Sequence, residues 1–169
     1  MGIFGAPSSA PTLVSAFAGR RWFAVLGRRL APLDGALFRA SRGRLTILGV
    51  QGRAMPRTLL LTTTGRRTGR PRTTPVMYLR DGERIAITSE NFGQARAAAW
   101  PLNLEATPVA RVQLGHASCV CRARLATPDE VERYWPSFTS MWPAHESYYA
   151  RSGVRHMFVL APLGVHAPR

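Results

Sequence analysis

From Thr58 onward the chain is a series of short β-rich runs separated by turn signals. Thr58–Thr64 (TLLLTTT) comes first, then a glycine-bounded turn at Gly65–Gly69 and a second run over Arg72–Leu79. Asp81-Gly82 is a strong hairpin signal, because glycine accepts the positive φ that a tight hairpin needs. Arg84–Ser89 is the returning strand, Val109–Leu114 and Ala117–Leu125 flank a further turn at Gly115-His116, and Met157–Ala161 closes the series. Helices are interposed. Gln94–Ala106 reads as helix with a break or fresh start at Pro101. Thr127-Pro128-Asp129-Glu130 combines a capping hydroxyl, proline in the first turn and acids at the positive end, and predicts a helix running to Met141. Pro143 opens another piece to Arg151. Strands joined by hairpins rather than regular crossovers predict a mainly β, α+β fold: an antiparallel sheet or small barrel with helices packed outside.

The first 57 residues have a different pattern. Residues 1–12 are a loose tail rich in Gly, Ala, Pro and Ser. Residues 13–30 form an imperfect basic amphipathic helix. Residues 34–42 suggest a short helix anchored by Leu37 and Phe38, and Arg42–Arg57 reads as an irregular link with a short apolar segment at Leu45–Val50. The chain therefore divides into an N-terminal basic helical extension, 1–57, and a barrel domain, 58–169.

Charge sharpens this division. The formal net charge is +14, and all 23 basic residues are arginine. Nine arginines stand against the single acid Asp34 in residues 1–57, and four more crowd into 66–72. Such an excess predicts affinity for phosphate, nucleic acid or an acidic lipid surface. With Trp22 and Phe23, the 13–30 stretch suits an anionic membrane face, which implies a cytoplasmic protein attached peripherally to the inner side. No window holds 18 uninterrupted apolar residues, so no spanning helix is expected. Cys119 and Cys121, two apart in one strand, read as small inward-facing core residues rather than a disulfide or metal pair, and point to a reducing compartment.

The most informative segment is Thr62 to Pro75: a strand, a tight turn with two glycines and four arginines around it, and a second strand. Glycine lets backbone amides converge on one side of such a turn, and guanidinium groups grip phosphate and carboxylate oxygens in pairs. Arginine on both arms suits a ligand with several anionic groups in a row. The spacing is neither a Walker loop nor a dinucleotide fingerprint. An exposed, charge-solubilised hairpin tip fits the composition equally well. An RNA-binding loop is disfavoured by the lack of interleaved aromatics, so no nucleic-acid partner is expected.

Beyond the turn, the stretches LLLTTTGRRTGRPRTTPVMYLRDG (59–82), SENFGQ (89–94), AWPLNL (99–104) and the WP…YY region (135–149) resemble the deazaflavin-dependent nitroreductase and quinone reductase family, in one order over roughly residues 58–162. The resemblance implies a split β-barrel and binding of coenzyme F420, a deazaflavin with a phosphate and an oligoglutamate tail. It also implies hydride transfer to a quinone, nitro compound or other electron-poor acceptor. By position it assigns the tail to Arg66, Arg67 and Arg72, with Thr68 and Arg70 beside them. It assigns the ring to Pro75, Met77, Thr88 and Ser89, and a closing helix to Trp100, Asn103 and Leu104. The acceptor pocket falls to Trp142, His145 and Tyr148, where nitro-activating members carry tyrosines three apart. Tyr148 is the better proton donor or orienting hydroxyl, with Ser89 beside the reacting ring, whereas His145 reads as an ordinary exposed histidine. Two departures stand out: the family commonly has Lys at the position of Arg67, and a neutral or basic residue at that of Glu90. The hydride chemistry would be the coenzyme's, in keeping with a chain that lacks a triad or metal motif. A split-barrel protein holding FMN or haem, and a non-catalytic basic nucleic-acid- or lipid-binding module, are the alternatives.

Overall fold

The computed structural model describes residues 57–163, and before them scattered positions between Leu30 and Val50. The expected tail, the basic stretch 13–29, Phe38 and His166 lie outside the described residues. Within 34–42, Ala36, Leu37 and Ala40 are helical, but Leu37 is exposed rather than an anchor. The expected irregular link contains two short strands, β1 (Leu45–Thr46) and β2 (Gly49–Val50), paired antiparallel.

Six further strands close into an antiparallel barrel: β3 (Thr58–Thr64), β4 (Pro71–Asp81), β5 (Arg84–Ser89), β6 (Val109–Leu114), β7 (Ala117–Leu125) and β8 (His156–Pro162), in the order β3-β4-β5-β8-β7-β6. Side chains alternate across each strand. Leu59, Leu61, Val76, Ile85, Ile87, Val112, Phe158 and Leu160 fill the interior. Leu79, Ala86, Met157 and Val159 face outward and are covered by Tyr134 and Phe138 of helix α2 (Pro128–Met141). Helix α1 (Ala99–Ala106) begins later than expected, with Pro101 inside its first turn, where a missing N–H costs nothing. Helix α3 (Ala144–Ser152) follows Pro143 and ends at Gly153, whose φ of 63° is a left-handed cap.

The start of α2 follows its local sequence. Thr127 Oγ1 accepts from the Glu130 N–H at 3.3 Å, and Glu130 Oε2 accepts from the Thr127 N–H at 3.0 Å, which is a capping box. The Tyr134 hydroxyl donates to Asp81 at 2.5 Å and so ties α2 to the tip of the β4–β5 hairpin. Cys121 is fully buried and Cys119 partly so, with their sulfurs 3.5 Å apart on one strand face and no disulfide. Burial pushes the Cys121 thiol up to about 12, which leaves it an unreactive core residue.

Candidate active site

The barrel is split on one side. Strand β4 pairs with β3 along Thr58–Thr64, but with β5 only from Tyr78 to Asp81. Over Pro71–Met77 its other edge has no strand partner among the described residues. On the far side of this gap, Thr88 and Ser89 of β5 pair with Met157 and His156 of β8. The outward face of the β3–β4 ribbon beside the gap carries Thr62, Thr73, Pro75 and Met77, all half-buried. The Thr62 and Thr73 hydroxyls bond each other at 2.9 Å. This shelf runs from the arginine turn to a wall of aromatic side chains, and at about 3.3 Å per residue Thr73 and Met77 lie about 13 Å apart.

At one end, Gly65 to Arg70 form a tight turn closed by Gly65 N–H to the Arg70 carbonyl at 2.9 Å and by Gly69 N–H to the Gly65 carbonyl at 2.7 Å. Gly69 sits at φ 65°, which a side chain would strain. Arg66, Arg67, Thr68, Arg70 and Arg72 are exposed. A Cβ on Gly65 would meet the Arg70 carbonyl at 3.0 Å and Thr68 Oγ1 at 3.1 Å, so the turn admits no bulk there. The buried side chain of Asn103 holds the turn from below: its amide N–H donates to Thr63 Oγ1 at 3.0 Å, and its carbonyl accepts the Arg66 N–H at 3.1 Å. Of the expected closing helix, Asn103 alone reaches the turn. Trp100 and Leu104 face inward, pack with the barrel core and bring the Trp100 ring to 5.8 Å from Phe158. They plug the barrel rather than cover the cleft, because their spacing places them on the apolar face of α1.

At the other end, Trp142 and Tyr148 are buried, with the half-buried Met77 and Phe92 packed against them. The Trp142 indole N–H donates to the Tyr148 hydroxyl. Burial holds the Tyr148 proton above the usual phenol range, and the Glu90 carboxylate adds to the rise. The Trp142 bond and the Arg151 guanidinium, 5.3 Å from the ring, oppose it. His145 is not exposed: it is 5% accessible, and its Nδ1 lies 2.5 Å from Glu90 Oε2. Glu90, 2% accessible, also accepts from Thr88 Oγ1 at 2.7 Å. The Glu90 carboxyl is therefore turned into the protein. Thr88 and Ser89 point to opposite faces of β5. Thr88 is spent on Glu90, while Ser89 Oγ accepts from the Asn91 N–H at 3.3 Å and keeps its proton for another partner. Sequence reasoning did not find the Glu90–His145 pair. The alternation Ala86, Thr88, Glu90 places all three on the helix-covered face of β5, but contact between residues 55 apart is invisible to local pattern.

The family profile for F420H2-dependent quinone reductase matches residues 37–161, most of the chain. The chain belongs to the F420H2-dependent quinone reductase family. An F420H2-dependent quinone reductase of Mycobacterium tuberculosis is 32% identical over 117 residues, covering 69% of this chain and 73% of that one. A solved F420-H2 dependent reductase shares the fold, with a TM-score of 0.56 and 24% identity, covering 62% of this chain and 93% of its own. A further solved structure, described as a domain-swapped dimer, has the same TM-score at 21% identity and covers 76% of this chain and 98% of its own. The split antiparallel barrel expected from the sequence is thus present, and as a family member the protein is an oxidoreductase whose cofactor is coenzyme F420. Nothing in this membership calls for the FMN alternative.

The cleft fits that coenzyme chemically. It has cations and tight backbone at one end, a flat half-buried shelf in the middle, and aromatic walls at the other. The Glu90 carboxyl beside it is withdrawn into the protein.

Proposed function

We propose that the reduced deazaflavin docks in the split with its anionic tail on Arg66, Arg67 and Arg72, assisted by Thr68 and Arg70, and its ring over Pro75 and Met77 near Ser89. When bound, the coenzyme supplies a hydride. The acceptor, a quinone-like or other electron-poor molecule, takes that hydride together with one proton, which makes a quinol from a quinone. The chain's own work is orientation, electrostatics and exclusion of water. Asn103 keeps the turn's amides in register, while Trp100 and Leu104 support α1 from the core. Trp142 and Tyr148 form the acceptor wall, backed by the buried His145. The Tyr148 hydroxyl, kept protonated in the working pH range, is the proton donor.

The observation that carries this reading is the continuity of one sheet face from the arginine turn to Tyr148, beside strand edges that have parted. Fluorescence titration with coenzyme F420 against FMN tests it. Tight binding of F420, growing weaker as the oligoglutamate tail is shortened, is the expected result, and tight binding of FMN alone refutes the reading.

The same proposal covers the N-terminal part. Residues 1–57 act as an extension separate from the domain at 58–169, although the family match reaches back to residue 37. Their basic 13–30 stretch rests on an anionic inner membrane surface, where quinones reside. Among the described residues no helix is long and apolar enough to cross a membrane. Fractionation of the full chain against a chain starting at Arg57 tests the attachment, and equal partition of the two refutes it.

A further inference from the structure

The loop leaving β5 has an unusual backbone. Asn91 (φ 45°), Phe92 (φ 56°) and Gly93 (φ 74°) are three consecutive left-handed residues, and two of them carry side chains. Such conformations are costly and persist only where the surroundings enforce them. Here the surroundings supply that enforcement. The Arg151 guanidinium donates to the Phe92 carbonyl at 3.2 Å, and the Phe92 ring meets Tyr148 edge-on at 5.8 Å. A Cβ on Gly93 would come within 2.7 Å of Arg151 Nε and 3.1 Å of Tyr148 Cα. Immediately before this turn, Glu90 joins Thr88 of β5 to His145, which stands one helical turn before Tyr148 on α3.

We infer that Glu90 is a positioning residue: with the 91–93 turn it forms a clasp that locks α3 onto the end of β5 and thereby fixes the Tyr148 hydroxyl relative to Ser89. The inference rests on the role proposed above for Tyr148. Glu90 is 2% accessible, and its carboxyl is bonded to Thr88 and His145 inside the protein. It acts through His145 and through the loop that carries Phe92 against the Tyr148 ring. A buried carboxylate is costly to desolvate, and two hydrogen bonds to opposite elements are what justify one here. Among the described residues His145 Nε2 is buried and has no hydrogen-bond partner. The Nδ1 bond to Glu90 is therefore the polar tether that sets the imidazole among the packed rings of Trp135, Phe138 and Tyr148 at the start of α3.

The test compares Glu90→Ala with Glu90→Gln in the full chain. The Gln side chain can still bridge the Thr88 hydroxyl and the His145 ring. In cofactor-free protein, nuclear Overhauser contacts between the Tyr148 and Phe92 rings should weaken in the Ala variant and return in the Gln variant. In the loaded enzyme the Ala variant should lose about tenfold in kcat for quinone reduction, as for one lost hydrogen bond to a charged group, while the Kd for F420 stays within about threefold. The Gln variant should recover most of that loss. Wild-type kcat in the Ala variant overturns the inference. So does a loss of kcat with the ring contacts intact, and so does an F420 Kd that weakens in step with kcat. If Glu90→Ala does not fold, the double variant Glu90→Leu with His145→Phe removes both polar partners together and allows the same comparison. A wild-type protein that binds no F420 would refute the proposed function, while the ring contacts would still report on the clasp.

Discussion

Two polar regions, the exposed arginine turn and the buried Glu90–His145 pair behind the aromatic wall, work in opposite ways. The arginine turn is wet: five polar or cationic side chains stand in solvent on a rigid backbone, and only the backbone beneath them is fixed, by Asn103. The Glu90–His145 pair is dry: both side chains are almost wholly inaccessible, bonded to each other, with Glu90 also accepting from Thr88. Exposed cations contribute little to stability and much to attracting and holding a polyanion, and they are screened by salt. A buried pair attracts nothing from solution but holds two elements in one geometry, and salt barely reaches it. On the proposed reading, the enzyme separates capture of its coenzyme from alignment of its reacting groups.

The largest effect expected from breaking this contrast is at the turn. Replacing Arg67 and Arg72 by alanine together should weaken F420 binding by well over tenfold, since each charged hydrogen bond is worth about 1.5–3 kcal/mol. The loss should shrink for a tailless analogue, and equal losses for long and short tails would move the tail site elsewhere. Raising ionic strength should mimic that variant: the F420 Kd should climb with salt, while kcat at saturating coenzyme stays flat. A salt-dependent kcat would mean that the dry region is not dry. Gly93→Ala should cost about 1–3 kcal/mol of stability in denaturant melts, because it adds a strained backbone and a side chain against Arg151 and Tyr148. An unchanged midpoint would show that the clasp yields freely.

The smallest effect lies far from the cleft. The bidentate Arg124 partner, with the Thr127 N–H, holds the Glu130 carboxyl at about 2, well below its ordinary 4.5. Because the folded-state value is the lower one, the contribution is complete above about pH 4.5 and is lost as pH falls toward 2. Glu130→Gln should therefore narrow its stability gap to the wild type in acid melts over that window. The partners are partly solvated, so the gap is modest. Thr127→Ala, which breaks the capping box itself, should cost about 1 kcal/mol at neutral pH.

Local pattern revealed a good deal of this architecture. Every barrel strand lies within two residues of its expected bounds, because turn chemistry at Gly65–Gly69, Asp81-Gly82 and Gly115-His116 is a local property. The α2 start was equally legible, since capping needs only four consecutive residues. What stayed hidden depends on which face a residue occupies and on what lies across from it. Trp100 and Leu104 were expected over the cleft but sit in the barrel core, and His145 was read as exposed but is buried. Thr88 and Ser89 were grouped as neighbours although a strand sends them to opposite faces. The placements of Trp100, Leu104 and His145 are decided by packing between elements distant in sequence, and no window contains both partners, whereas the split of Thr88 from Ser89 follows from strand alternation alone.

The alternation along β3 and β4 has a consequence for change over time. Leu59, Leu61 and Val76 look inward and keep the barrel folded, while Thr62, Thr73, Pro75 and Met77 on the same backbone look into the cleft. On the proposed docking, ligand preference can drift through one row of this ribbon without touching the other. Libraries that vary only the outward row should therefore return mostly folded enzymes with altered appetites.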